Sequence, residues 1–203
     1  MIDSKGIGSE VLRVIRDRRS VRKFDPRPVE REKILTCIEA ACLAPSADNV
    51  QPWRFIVVDD PDTIHRFGDA VFSGIYKITR WAMGAPVIVV LLADLNMVAH
   101  RMGSVIQKIP FHVLDIGIAG EHFILQAQSM GLGTCWIGWF HTRKAIKFFH
   151  VPKGVRLCQL IAVGYPKAGW RANPRKRKRP LEKIVFFNEW GNAGTWEKSN
   201  HPL

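Results

Sequence analysis

One stretch of the chain, residues 44–59 (APSADNVQPWRFIVVD), carries the densest group of side chains that could bind a small molecule. Pro45 ends any helix before it, because a proline disfavours helical geometry in the preceding residue. A loop therefore begins there, and it presents hydroxyl, carboxylate and amide groups on Ser46, Asp48, Asn49 and Gln51. The apolar run after Pro52 predicts a strand that anchors the loop. This arrangement suits a flat heterocycle with a polar edge, although a solvated turn feeding a core strand fits the same residues.

A second candidate binding segment is cationic. Five Lys or Arg residues occupy the eight positions 16–23, at the end of a first predicted helix that Ser9 could cap. Arginine forks match phosphate oxygens in two-point contacts, and a hydroxyl stands among these guanidinium groups, on Ser20. The segment could therefore bind a phosphate or a sugar oxygen. The alternative is a solvated basic helix end, which suits the negative pole of the helix dipole.

The whole chain is basic. Its 203 residues include 30 Lys and Arg against 18 Asp and Glu, a formal net charge of +12. This charge favours anionic partners, whether phosphorylated ligands, nucleic acid or membrane surfaces, and says nothing about the fold. The length suits one domain, 1–203, with a real core. With 47% hydrophobic and 24% charged residues, the composition is that of a globular protein rather than a disordered one.

The cysteines and the apolar runs bear on the compartment. None of the four cysteines forms a CxxC pair, and their apolar surroundings predict buried free thiols: Cys37, Cys42, Cys135 and Cys158. The polar residues 1–10 lack the pattern of a secretory signal, and the apolar run 85–93 is too short to cross a bilayer. We therefore predict a cytoplasmic protein that contacts no membrane.

Hydrophobic periodicity predicts the elements that would position these segments. Helices are predicted over residues 29–43, from Pro61 onward, over 111–130 and over 141–150. Strands are predicted over residues 53–58, 86–94, 134–140, 156–165 and 181–187. Residues 68–83 mix aromatic, glycine and cationic side chains, which would suit either a mobile aromatic lid or an ordinary surface helix.

The predicted helix 111–130 is apolar on almost all sides, so it must be wrapped by protein. Gly117 and Gly120 are costly inside a helix and therefore predict the close approach of another backbone. We expect this helix to lie at a subunit interface. His112 and Asp115 lie one turn apart on this predicted helix, and His122 lies further along it. A metal site needs a third ligand at a defined spacing, and we find none. We therefore predict that both histidines lie in the core with their hydrogen bonds satisfied.

Several nucleotide and nucleophile motifs are absent from the sequence. The glycines do not space as GxGxxG after a strand, and neither a Walker loop nor GxSxG occurs. Gly138 instead interrupts the predicted strand 134–140. A glycine inside a strand marks a bulge or the close approach of a ligand to the backbone.

Five segments, in chain order, together resemble the FMN-dependent nitroreductase family: RRSVRKF (18–24), APSADNVQPWRF (44–55), GLGTCWIGWF (131–140), VGYP (163–166) and RKRKRPLEKIV (175–185). The resemblance covers nearly the whole chain. It implies an α+β nitroreductase-like fold, with a mixed central sheet flanked by helices, and an intertwined homodimer with two FMN sites at its interface. It also implies that a terminal strand crosses over, so that the extension 181–203 packs on the partner subunit.

The resemblance further implies which residues contact FMN. The phosphate and ribityl chain would be held by Arg18, Arg19, Ser20 and Arg22. The isoalloxazine would be met by Pro45, Ser46, Asn49 and Gln51, with the partner subunit supplying some of them. The strand backbone beside the flavin would come from Trp136, Ile137, Gly138 and Trp139, with the N–H groups of the last two near N5. In the basic run 175–179 the family pattern maps to Lys176 and Lys178, or to Arg177 in another register.

The resemblance implies an enzyme that needs no catalytic side chain, because the flavin carries the chemistry. NADPH or NADH would reduce FMN, and the flavin would reduce a nitroaromatic, a quinone or a similar electron-poor small molecule, by ping-pong two-electron transfer. Relatives that dehalogenate place a hydroxyl side chain at N5, where this chain has Gly138. A reductive dehalogenase, a flavin-fragmenting enzyme and a non-catalytic flavin-binding protein stay open as alternatives. A basic nucleic-acid binder is a remote one, since no aromatic residues interleave with the run 175–179.

Overall fold

The computed structural model describes residues 10–96, 109–170 and 179–192. The chain divides into two units, Met1–Trp170 and Arg171–Leu203. The described part of the larger unit contains five α-helices and four strands. In chain order they are α1 (Glu10–Asp17), α2 (Arg31–Cys42), β1 (Trp53–Val58), α3 (Pro61–Val71), β2 (Val87–Asp94), α4 (Phe111–Ser129), β3 (Gly133–Ile137), α5 (Thr142–Phe148) and β4 (Val155–Gly164). Two 3₁₀ segments, Ala47–Asn49 and Gly74–Gly84, complete it.

The strands form one sheet in the order β1-β2-β4-β3, and each neighbouring pair is antiparallel. The predicted α+β class is confirmed. The parallel component of the sheet is a single bridge, between Ser20 and Thr134. Strand β4 carries a bulge at Cys158, because Leu91 pairs with Gln159 while the next residue of β2 pairs with Leu157. The edge strand β3 lies beside only the second half of β4, where its last pair joins Ile137 to Leu160.

Helices cover both faces of the sheet, as the buried run in β2 predicts. Seven of its eight residues are buried, with side chains alternating between two cores. One core packs α3 and α5 against Ile88 and Val90, around Phe67. The other packs α2 and α4 against Val89 and Leu91. Helix α4 is therefore central to the second core, although it also exposes apolar side chains.

The glycines of α4 only partly match expectation. At Gly120 the close neighbours are the indole of Trp136 and the side chain of Leu91, so the predicted approach of another backbone is wrong there. At Gly117 a Cβ would meet no atom of the described residues. Gly131, with a φ of +76°, ends the helix as a left-handed residue. No helix within the described ranges is long and apolar enough to cross a membrane.

Two predicted strands differ in the structure. Strand β3 ends at Ile137 rather than at residue 140, because the residues that follow bond to the Gly74–Gly84 segment instead of to β4. The predicted last strand 181–187 is wrong for the smaller unit. There the backbone N–H groups of Ile184 and Val185 both donate to the carbonyl of Leu181, which closes a short 3₁₀ helix, Leu181–Lys183. A strand needs a neighbour for its hydrogen bonds, and these residues satisfy theirs locally.

Candidate functional site

The cationic residues 18–22, called here the arginine strap, lie along the edge strand β3. The backbone N–H of Val21 donates to the carbonyl of Thr134 at 2.9 Å, beside the parallel bridge of Ser20. Gly133 permits this contact, because a Cβ at that position would come within 2.6 Å of the Val21 side chain. Backbone pairing therefore fixes the strap to the start of β3, and Gly133 leaves the room that this close contact needs.

The strap lies near the thiol of Cys135, which follows Thr134 in β3. Burial raises the pKa of the Cys135 thiol. Three neighbours act on that pKa in the opposite direction: the charge of Arg22, a hydrogen bond with Ser20 and the charge of Arg18. The Cys135 thiol is therefore within electrostatic reach of two guanidinium groups and of the Ser20 hydroxyl. No ion pair within the described ranges involves either guanidinium, whereas five other cationic side chains are paired with carboxylates.

Arg19 is oriented differently from its neighbours in the strap. Its Nη1 atom donates to the carbonyl oxygens of Arg16 and Arg18, at 2.5 and 2.9 Å. Its Nε atom is buried and has no hydrogen-bond partner in the described part of the chain. Arg19 thus donates hydrogen bonds to carbonyl groups at the C-terminal end of α1, which have no partner within the helix. Its predicted phosphate contact stays a prediction.

The two residues that follow β3, Gly138 and Trp139, form an exposed turn called here the glycine loop. It is held by the Gly74–Gly84 segment: the indole N–H of Trp139 donates to the carbonyl of Ile75 at 3.0 Å, and the hydroxyl of Thr79 donates to the carbonyl of Trp139 at 2.7 Å. The ring of Tyr76 lies 5.2 Å from that of Trp139. The segment therefore packs against the loop as an ordered aromatic 3₁₀ helix.

A cavity of about 970 Å³ opens at the glycine loop, between β4, α4 and α5. Gly138 and Trp136 form part of its wall, and the side-chain amide of Gln159 lies against Gly138, 3.1 Å from where a Cβ would stand. Ile137 is buried in the core, so only its backbone could contact a ligand. Gly138 is exposed just after β3 and has no side chain to cover its backbone; its predicted contact with a ligand stays a prediction.

The polar residues 44–51, called here the amide loop, adopt an unusual backbone. Asp48, Asn49 and Gln51 all have positive φ, near +50°. Left-handed backbone in residues other than glycine stores strain and clusters at functional sites. The backbone N–H of Gln51 donates to the hydroxyl of Ser46 at 2.9 Å, while the side chains of Asn49 and Gln51 are exposed and lie within 3.2 Å of each other.

The amide loop is anchored to α4 rather than to the strap. The carboxylate of Asp115, buried at 3% exposure, accepts a hydrogen bond from the backbone N–H of Ala47 at 3.2 Å. The structure therefore forms two groups within one chain: the strap and the glycine loop, joined by β3, and the amide loop on α4. Pro45 is exposed at the start of the amide loop. The predictions for Lys176 and Lys178, and the alternative Arg177, lie outside the described residues.

Sequence reasoning missed the residues that support these groups. Thr79 lies in a segment whose pattern was ambiguous, so nothing marked it. Asp115 had a signal, since it is an acid at a core position of an otherwise apolar helix, and such a carboxylate must find a donor. His112 and His122 meet other parts of the fold: the first lies 3.3 Å from Arg156, and the second lies 3.3 Å from the carbonyl of Ala40.

The chemistry of the residues along β3 matches the groups of FMN. A phosphate needs cations that no carboxylate already neutralises, and among the described residues neither Arg18 nor Arg22 forms an ion pair. The guanidinium of Arg22 also lies over the ring of Trp81, 5.6 Å from its centroid. A flavin ring needs an apolar wall and exposed backbone N–H groups, and Trp136 and the glycine loop provide these at the other end of the same short strand. The donor set therefore suits a phosphorylated planar cofactor.

Comparisons with known proteins agree with this fit. The model of the nitroreductase family matches residues 15–165. A protein of Methanothermobacter thermautotrophicus, provisionally named NADH dehydrogenase/NAD(P)H nitroreductase, is 32% identical over 93% of this chain and 92% of its own. Iodotyrosine deiodinase 1 of Sus scrofa is 27% identical over 87% of this chain and 68% of its own. The structure of an FMN-dependent nitroreductase from Clostridium difficile superimposes with a TM-score of 0.69 at 27% identity, over 87% of this chain and 98% of the other.

The family match spans both groups of candidate residues, from the arginine strap through the amide loop to the glycine loop. The Methanothermobacter protein and the Clostridium nitroreductase align over nearly their full length, so the likeness is that of whole chains rather than of one motif. This chain belongs to the nitroreductase family.

Proposed function

We propose that this protein binds FMN along β3 and uses NAD(P)H to reduce nitroaromatics, quinones or similar electron-poor small molecules by ping-pong two-electron transfer. At the coarser level it is an NAD(P)H-dependent flavin oxidoreductase with FMN as its cofactor. One observation carries the proposal: the arginine strap, in which Arg18 and Arg22 form no ion pair within the described ranges, pairs with the start of β3, and the exposed backbone of the glycine loop follows its end.

The arginine strap would bind the phosphate end. Arg18, Ser20 and Arg22 supply two charges and one hydroxyl at a place where backbone pairing with Thr134 limits their movement. Arg19 would support them by holding the end of α1. Lys176 and Lys178 are proposed as further phosphate contacts from the basic run.

The glycine loop would bind the reactive edge of the ring. When bound, FMN accepts a hydride from NAD(P)H and passes the electrons to the second substrate. The chain supplies position for this chemistry: the backbone N–H groups of Gly138 and Trp139 would hold the ring edge. Trp139 accepts a hydrogen bond from Thr79 and donates one to the carbonyl of Ile75, and these bonds keep the loop in place. No side chain is proposed as a catalytic acid or nucleophile.

A homodimer would complete the site. The amide loop projects Asn49 and Gln51 from α4, and the same helix exposes apolar side chains that water would otherwise contact: Val113, Leu114 and Ile118 at 46, 52 and 39% exposure. A second copy packed on this face would bury them, and each amide loop would then reach the flavin of the other subunit. The extension 181–203 is proposed to pack on that second subunit.

The setting and partners follow the same proposal. We place the protein in the cytoplasm, where NAD(P)H is available and where its four cysteines, all free in the structure, would stay reduced. The partners are a small-molecule acceptor and a second copy, with no role for nucleic acid or a membrane. The net charge of +12 then serves an anionic cofactor and anionic nucleotide substrates.

The test is spectroscopic. The purified protein should be yellow with FMN absorbance, and NADPH added without air should bleach it until nitrofurazone restores the colour. A colourless preparation that FMN cannot reconstitute would refute the proposal. Arg22→Gln should weaken FMN binding by about tenfold, whereas Arg66→Gln, an exposed position on α3, should leave it unchanged.

Reductive dehalogenation is the second candidate, because a deiodinase is among the relatives. Here Gly138 offers no side-chain hydroxyl at the glycine loop, which favours two-electron reduction. Anaerobic NADPH oxidation with halogenated phenols, compared with nitrofurazone, separates the two reactions. Turnover with neither compound, in a protein that binds FMN, would point to flavin binding without catalysis.

A further inference from the structure

We propose that the cavity beside the glycine loop is a subsite for an anionic aromatic acceptor, whose carboxylate binds the guanidinium of Arg156. This inference deepens the proposed function, and it rests on that function for the word acceptor. Its binding step can be tested alone.

The cavity exists because β3 is shorter than β4. The last pair of β3 joins Ile137 to Leu160, so among the described residues no strand pairs with 155–159 of β4 on that side. Their side chains and backbone line the space instead, together with α4 and α5. A volume of about 970 Å³ is within the range of small-molecule sites.

Arg156 brings a positive charge to this cavity without a described carboxylate partner. Its Nη1 atom lies 3.3 Å from Nε2 of His112, an imidazole contact that leaves the charge in place. The acid beside it on β2, Asp94, is engaged by Arg54 at 3.1 Å. Cys158 also lines the cavity, and burial raises the pKa of that thiol, so it stays neutral and does not balance the guanidinium.

The opposite end of the cavity meets the glycine loop. Gln159 touches Gly138 with its side-chain amide, and Arg156 stands three residues away on the same strand, at most about 10 Å at the usual rise per residue. Apolar side chains lie on the walls between these ends: Ile116, Ile146 and Leu157. Trp136, assigned above to the flavin ring, borders the same space. A cation at one end, apolar walls and an amide with bare backbone at the other fit a flat ring that carries a carboxylate opposite its reducible group.

The test compares two ligands of the same shape, 4-nitrobenzoate and 4-nitrobenzamide. Each is titrated into the purified FMN-loaded protein, and binding is measured by calorimetry. Arg156→Gln should weaken nitrobenzoate binding by about tenfold and nitrobenzamide binding by less than twofold, because only the first loses a charge-assisted pair. Arg156→Lys should retain most of the preference. The surface control Arg66→Gln should bind both compounds as the parent does.

Equal weakening of both ligands in Arg156→Gln would overturn the proposal, and so would unchanged nitrobenzoate binding in a variant whose circular dichroism matches the parent. Steady-state assays separate the two proposals. If the parent prefers nitrobenzoate through Arg156 but reduces neither compound, the oxidoreductase proposal fails for these acceptors and the anion subsite stands. If it reduces both with the same KM in parent and variant, the subsite fails and the oxidoreductase proposal stands.

Discussion

The hydroxyl of Thr79 donates a hydrogen bond of 2.7 Å to the backbone carbonyl of Trp139, sixty residues later in the chain. The same hydroxyl lies 2.8 Å from the carbonyl of Tyr76, so its hydrogen is shared. This contact fixes the peptide of the glycine loop. Thr79→Val keeps the shape and removes the donor, so we expect the dissociation constant of FMN to rise by about fivefold, the value of one hydrogen bond.

The measurement is quenching of flavin fluorescence during titration with each variant. Thr79→Ser keeps a hydroxyl and serves as the matched control, with affinity close to that of the parent. If the Val and Ser variants bind FMN equally well, the loop does not depend on this contact.

Alanine substitutions at two glycines of α4 should change the free energy of unfolding in opposite directions. A Cβ at Gly120 would overlap the indole of Trp136, whereas a Cβ at Gly117 would meet no atom within the described part of the chain. Gly120→Ala should lower the free energy of unfolding by about 1–3 kcal/mol through overpacking. Gly117→Ala should raise it by up to about 1 kcal/mol, because alanine favours the helix. Urea denaturation at one fixed protein concentration measures both, and equal shifts would contradict the packing described here.

The sequence predicted most elements because their burial is periodic. The apolar run of β2 and the apolar faces of α2 and α4 are local patterns that survive in the folded chain. The strap was recognisable as a group of cations, and Gly138 as a bare point in a strand. Such signals depend on residues close together along the chain.

Contacts between distant segments could not be predicted in the same way. Nothing local shows that Thr79 meets Trp139, that Asp115 meets Ala47, or that Arg19 turns back onto α1. The mistaken strand 181–187 has the same origin, since a run of apolar residues such as 184–187 indicates a strand only where a neighbour exists to pair with.

The anchor of the amide loop gives a third prediction. Asp115→Ala removes the acceptor for the backbone N–H of Ala47, so hydrogen exchange at that amide should accelerate at least tenfold. Asp115→Asn keeps an acceptor oxygen and should restore most of the protection. Exchange at Ala47 that is the same in parent and alanine variant would show that the loop is held by other contacts.

Cys37 gives a prediction about alkaline pH. Its side chain is fully buried in α2, and burial raises the pKa of the thiol to about 12, against about 8.5 for a free cysteine. Between these values the unfolded chain loses a proton that the folded chain keeps. The stabilisation from the neutral thiol is therefore complete below about pH 8.5, and the free energy of unfolding should fall above it by about 1.4 kcal/mol per pH unit from this group.

Cys37→Ala removes that titration, so its free energy of unfolding should fall less steeply than that of the parent between pH 9 and pH 11, although the lost sulfur costs about 1 kcal/mol at neutral pH. Cys42→Ala, on the exposed side of the same helix, is the matched control and should keep the parental slope. Other groups titrate alike in all three proteins, so the difference in slope isolates Cys37. Parallel curves for the parent and Cys37→Ala would mean that the buried thiol ionises in the folded state as readily as in the unfolded one.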